Sequence, residues 1–322
     1  MRLIVAAADR LLIADPVTGA TRTELEERGP VCLAVAGNRV WCGTRGHGVY
    51  RSDDAGASWR PAGLDGRWLT AIAATDTAVY AGTEPSAVLS SEDAGATWRE
   101  LRGLLDLPSS RTWSFPPRPS THHVRAILVD PVEPETIHVA IEAGALVRTV
   151  DGGRTWEDRR PRSPYDTHTL AAHPAAPGWI GSAAGDGWFE SDDRGITWRS
   201  PEEGLEDGYL WSVAVDAGDS GTVVVSAAPG PRPAHDARRA ESRVYRRSGG
   251  AWRPVEGLPE PRGTTVASLA ADPAEPRTFW AASNRGLYRS EDGGARWELV
   301  DIAWPPAFAS ERVDAFALAP LG

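Results

Sequence analysis

The chain has 322 residues, 41% of them hydrophobic and 24% charged, and its 34 basic residues against 44 acidic ones leave a net charge of −10. That length admits two average domains or one large β or α/β domain, while acid excess without clustered basic charge excludes a nucleic-acid partner. Every basic residue is Arg, which excludes Schiff-base lysine chemistry and a phosphate-loop lysine.

The opening run Met1–Ala6 is too short for a signal peptide or a membrane span, and no later stretch reaches 18 uninterrupted apolar residues. The expectation is a soluble cytoplasmic protein with no membrane contact. Cys32 and Cys42 cannot make a disulfide framework or a zinc site unaided, so a reduced core pair on neighbouring strands is expected.

In chain order, the first elements are three short runs, Leu3–Ala8, Leu11–Asp15 and Thr21–Glu26. From Val31 onward a unit of four β-rich runs recurs, and its third run leads into a box. Intact boxes occupy Ser52–Trp59, Ser91–Trp98, Thr149–Trp156, Ser191–Trp198 and Ser290–Trp297, and Ser248–Trp252 is a worn copy without its Asp. Successive box tryptophans are 39, 58, 42, 54 and 45 residues apart, within the propeller range once insertions are allowed. In each box the Asp (Asp54, Asp93, Asp151, Asp193 and Asp292) is expected to accept turn N–H groups, the Gly to supply a positive φ, and the Trp to cover the sheet. These are structural residues rather than catalysts.

The missing strand of the first unit is found at the other end, where Val313–Leu318 resembles the inner runs Val124–Val129 and Val266–Ala270. The expected fold is therefore all-β, a seven-bladed β-propeller of four-stranded antiparallel blades closed by the C-terminal strand. One domain spans 1–322, with blade 1 at 1–28 plus 312–320, blade 2 at 30–64, blade 3 at 67–104 and blade 4 at 123–160. Blades 5, 6 and 7 follow at 166–205, 209–258 and 264–300.

Function is expected on the face opposite the boxes, where two long insertions, 105–123 and 228–242, map together. Loops there bring Glu84 and Glu142 to equivalent positions on adjacent blades, with His122, His123, Arg125, Asp166, His168 and Trp211 at the entrances to inner strands. Three arrangements suit these residue types. Glu84 and Glu142, with His168, make a candidate acid–base set for a hydrolase or lyase. His123, His168, Glu84 and Glu142 make a candidate divalent-metal set. The same groups also suit a hydrogen-bonded plug across a wet channel. Arg118 and Arg125 would draw an anionic or polar ligand portion, and Trp113, Phe115 and Trp211 would offer stacking surface. The expected partner is a small-molecule or carbohydrate-like ligand, or a protein held on the loop-rich face.

The boxes and blade count resemble those of Asp-box propellers built from bacterial-neuraminidase-type repeats, over essentially the whole chain. Within that group the chain is most similar to single-domain glycosyl hydrolase-like or sialidase-like repeat proteins, through Gly82-Thr83-Glu84-Pro85, Thr112–Pro119 and Asp166–Leu170. The resemblance implies fold rather than activity. The Arg-Ile-Pro motif that such sialidases carry is absent, so a typical sialidase is not expected.

Overall fold

The computed structural model describes residues 1–321. Short runs rich in Val, Ile and Ala, broken by Gly and Asp turns, form seven antiparallel sheets in chain order. Their innermost strands are Ala315–Ala319, Pro30–Ala36, Trp68–Ala74, Val124–Val129, Thr167–Ala172, Tyr209–Val215 and Ser268–Ala271. Each touches the next, and the last touches the first strand of the series, so the blades close into a ring. The fold is thus the seven-bladed propeller that the repeat predicts.

Closure is made in blade 1, where Arg2–Ala7 pairs with Ala315–Ala319 in a register that sets Leu3 opposite Leu318 and Arg2 opposite Ala319. Apolar wedges between neighbouring blades supply the core. One gathers Val88, Leu101, Val124, Ile137 and Val139 between blades 3 and 4. Another joins Leu3, Val5, Trp280 and Leu318 across blades 1 and 7. Five blades have four hydrogen-bonded strands; in blades 4 and 5 the outermost strand shrinks to single bridges, Arg148–Glu157 and Glu190–Arg199. Paired side chains reinforce both bridges, with Arg148 Nε 2.8 Å from Glu157 and Arg199 Nε 2.9 Å from Glu190.

The turns after the third strands are built as the boxes predict. Ser52 Oγ donates to Asp54 at 2.7 Å and accepts from the Gly56 N–H at 2.8 Å, and Asp54 accepts from the Ser58 N–H at 2.8 Å. The same serine or threonine bridge recurs at Gly95, Gly153, Gly195 and Gly294. Hydrogen bonds from Ser58 and Thr97 hold the Asp54 and Asp93 carboxyls down to about 2. These carboxylates are occupied by their own turns, which leaves the opposite rim for chemistry.

That rim is shaped by a recurring irregularity. In blades 2 to 6 the innermost strand carries one extra residue against its partner: Val31, Thr70, Arg125, His168 and Trp211. A bulge kinks the strand and re-aims the extra side chain. All five occupy the same position in their blades, and three are residues singled out above.

Candidate functional site

The bulged strand tops and the loops after the second strands enclose a pocket of about 490 Å³. Its walls include Trp68, Glu84, Phe115, Arg118, His123, Arg125, Glu142, Asp166 and Asp314. Both insertions contribute, through Phe115–Arg118 and through Pro231 and His235.

A chain of ionic contacts crosses the blades. Arg118 donates from Nε and Nη2 to the two oxygens of Glu84, at 3.0 and 2.6 Å. Its guanidinium also lies 4.8 Å from the Phe115 ring centroid and 5.6 Å from that of Trp68. His123, edge-on to Phe115, sets Nδ1 3.9 Å from Glu84 and donates from Nε2 to Glu142 Oε2 at 2.8 Å. Arg125 reaches the same Glu142 oxygen at 3.4 Å. Burial opposes ionisation of Glu142, but the His123 hydrogen bond and the Arg125 charge prevail and bring it down to about 2.

Asp166 stands beside this chain with the opposite tendency. One oxygen accepts from the Ala143 N–H at 2.8 Å. Burial and the Glu142 charge push its carboxyl up to about 6. Beneath it His168 is 1% exposed, with Nδ1 2.6 Å from the Leu210 carbonyl and Nε2 3.7 Å from Asp166 Oδ2. Burial pushes the His168 imidazole down to about 4, so it is neutral near pH 7.

Several expectations need correction. The structure brings Glu142, Asp166 and His168 together, with donor atoms all within 4.8 Å of one another. The expected metal set had Glu84 and His123 in place of Asp166, but Arg118 engages both Glu84 oxygens and His123 spends Nε2 on Glu142. Trp113 is no pocket wall. It lies in the wedge between blades 3 and 4, 5% exposed, with its indole N–H donated to Ser109 Oγ at 3.1 Å. The short helix Pro108–Thr112 turns it inward. His122 packs edge-on against Trp113, away from the pocket lining. Trp211 borders the pocket but offers little stacking surface, because it is buried at 4% exposure, with Arg125 and Arg312 4.3 and 5.0 Å from its ring centroid.

Three further residues shape the pocket, His235, Arg45 and Arg312. His235 accepts or donates at 3.0 Å with the Tyr209 hydroxyl and lies 4.3 Å from the Trp211 ring, carried in by the helix Pro231–His235 of the second insertion. Arg45 and Arg312 both pair with Asp314, at 3.4 and 3.1 Å. The insertion is the sequence signal for His235, and the loop after the second strand of blade 2 is the signal for Arg45; nothing local distinguishes Arg312 from the dispersed surface arginines.

No protein family matches the chain by sequence, and no curated protein does. Solved structures match in fold. A GH74 enzyme from Niastella koreensis aligns with a TM-score of 0.71 at 16% identity, over 93% of this chain and 52% of that one. An ancestral GH74 enzyme gives 0.66 at 16% identity, over 87% and 39%. The protein YCF48, solved with a D1 peptide, gives 0.59 at 18% identity, over 84% and 82%. The chain thus spans about half or less of the GH74 structures. Fold and site together define a single-ring seven-bladed β-propeller with a polar axial pocket. No helix among the described residues is long and apolar enough to cross a membrane.

Proposed function

We propose that this propeller binds a small or medium polar, carbohydrate-like ligand in the pocket opposite the box turns. The observation that carries this reading is the pairing of open aromatic surface with a floor of alternating charges. Trp68 is 44% exposed beside Phe115, and Glu84, His123, Glu142 and Asp166 sit below with donors and acceptors fixed in place. Concave sites with apolar walls and a few convergent polar groups are where small ligands bind. Four arginines and four carboxylates line the pocket, which suits a neutral, hydroxyl-rich ligand better than a strongly charged one.

A thermal-shift screen of mono- and oligosaccharides, polyols and polar metabolites tests this. A ligand that raises Tm in the native protein should bind about tenfold more weakly to Trp68→Ala, consistent with loss of one aromatic contact. Binding that ignores Trp68→Ala and Phe115→Ala would overturn the assignment. Capture of an extended peptide by the same pocket, with no small ligand bound, would favour a protein-assembly role instead.

A second reading, hydrolase or lyase, is favoured by one feature. Glu142 and Asp166 are neighbouring carboxyl groups whose proton affinities are driven apart, the pattern that lets one act as base and the other as acid. Under this reading the acid is Asp166 rather than Glu84, whose oxygens Arg118 engages. Turnover of a glycoside that is lost in Asp166→Asn but retained in Glu84→Gln would support it.

A further inference from the structure

We infer that Glu142, Asp166 and His168 form a binding site for one divalent transition-metal ion, opening onto the axial pocket. The argument starts from the His168 ring. A carbonyl oxygen can only accept, so the 2.6 Å contact with Leu210 fixes the proton on Nδ1. Nε2 is then a bare lone pair. It is buried, has no hydrogen-bond partner among the described residues, and faces Asp166 Oδ2 at 3.7 Å. Two lone-pair-bearing atoms turned toward each other repel unless a positive centre stands between them. A backbone carbonyl holding the far nitrogen is also the outer support that metal-bound histidines use to fix their tautomer.

The two carboxylates have capacity to spare. Asp166 accepts from Ala143 through Oδ1, which leaves Oδ2 toward His168. The contacts of His123 and Arg125 with Glu142 both fall on Oε2. His123 and Arg125 therefore orient Glu142 without consuming it. An ion with bonds of about 2.0–2.2 Å draws its ligands to roughly 3–3.5 Å from one another. The donors lie within 4.8 Å, and rotation of the two acyclic carboxylates covers the difference while His168 stays in place.

One imidazole with two carboxylates selects zinc- or manganese-like ions over calcium or magnesium, which prefer oxygen alone. Three protein ligands leave further positions directed at the pocket. This site goes beyond the ligand-binding reading and does not depend on it. It also competes with the enzyme reading, since an ion held by Asp166 removes that group as a free acid.

The test uses the full chain stripped with a chelator and titrated with Zn²⁺ alone by calorimetry, then with Co²⁺ by visible absorption. One equivalent should bind at micromolar concentration or tighter, with a Co²⁺ band characteristic of nitrogen and oxygen ligands. Asp166→Asn and Glu142→Gln, near-isosteric changes, should each weaken binding by at least about 100-fold, because even outer partners of a metal site cost 10–100-fold. Circular dichroism and Tm in chelator should match the native protein, which separates loss of a ligand from loss of the fold. His168→Ala should abolish the Co²⁺ band. Absence of stoichiometric Zn²⁺ binding below about 1 mM, or equal binding by native protein and both carboxylate variants, would overturn the site whatever the fate of the saccharide screen.

Discussion

Arg118 and Glu84 are joined fork to fork, with Nε to Oε1 at 3.0 Å and Nη2 to Oε2 at 2.6 Å, and this contact ties the 105–123 insertion to blade 3. The arginine is half exposed and the carboxylate 7% exposed, so the pair lies between the weak surface kind and the costly buried kind. Arg118→Ala should lower stability by roughly 1–2 kcal/mol in urea unfolding and speed proteolysis within residues 114–120. Arg118→Lys should rescue neither fully, because an ammonium cannot make the two-point contact.

His138 gives the protein an acid-sensitive element remote from the pocket. It is 1% exposed, donates from Nε2 to the Arg194 carbonyl at 3.1 Å, and burial pushes it down to about 4. Unfolded, it titrates near 6.5, so between these values the unfolded chain binds the extra proton and stability falls as pH falls. Its loss reaches about 3 kcal/mol below pH 4, at 1.36 kcal/mol per unit of pKa difference. Stability measured from pH 7 to 4 should therefore fall less steeply in His138→Asn than in the native protein, and the two slopes should coincide above pH 7. Equal slopes throughout would refute this.

Gly153 shows how tightly a box turn meets its neighbour. Its φ is +84°, and an added Cβ would come within 2.6 Å of Leu101 Cδ1, itself buried between blades 3 and 4. Gly153→Ala should cost about 2–3 kcal/mol, combining the left-handed penalty with overpacking. Gly250 also has positive φ but no atom within 4 Å of an added Cβ, so Gly250→Ala should cost only about 1 kcal/mol. The difference between the two melting temperatures is the measurement.

Trp113 in the core and Trp68 in the pocket wall should separate cleanly. Trp113→Ala removes a core side chain and should destabilise by roughly 3–5 kcal/mol. Trp68→Ala, half exposed, should change stability by under about 1 kcal/mol while weakening ligand binding. The reverse ordering in chemical denaturation would contradict the packing described here.

The ring was readable in the sequence because its instructions are local. Each box holds its turn with side chains from within eight residues, and the strand missing at the N-terminus has a visible counterpart in Val313–Leu318. The site was readable only in outline. Glu84, Glu142, His123 and Asp166 reach one pocket because the loops that carry them repeat with the blades. His168 does not line that pocket, because its ring is held beneath Asp166 by the Leu210 carbonyl of the neighbouring blade, 42 residues away in the chain. Trp113 and Trp68 differ in fate for a similar reason. A five-residue helical turn buries one, and its direction depends on packing across two blades rather than on neighbouring letters.

The closing pair in blade 1 also sets how the molecule answers to force. Arg2 and Ala319 face each other at the same end of two antiparallel strands, so tension applied through the chain's two ends loads their hydrogen bonds one after another rather than all together. The ring should therefore unzip at modest pulling force, beginning at Arg2–Ala319 and releasing blade 1 first. The same protein pulled through points on the outer strands of two distant blades should resist far more, because several sheets then share the load.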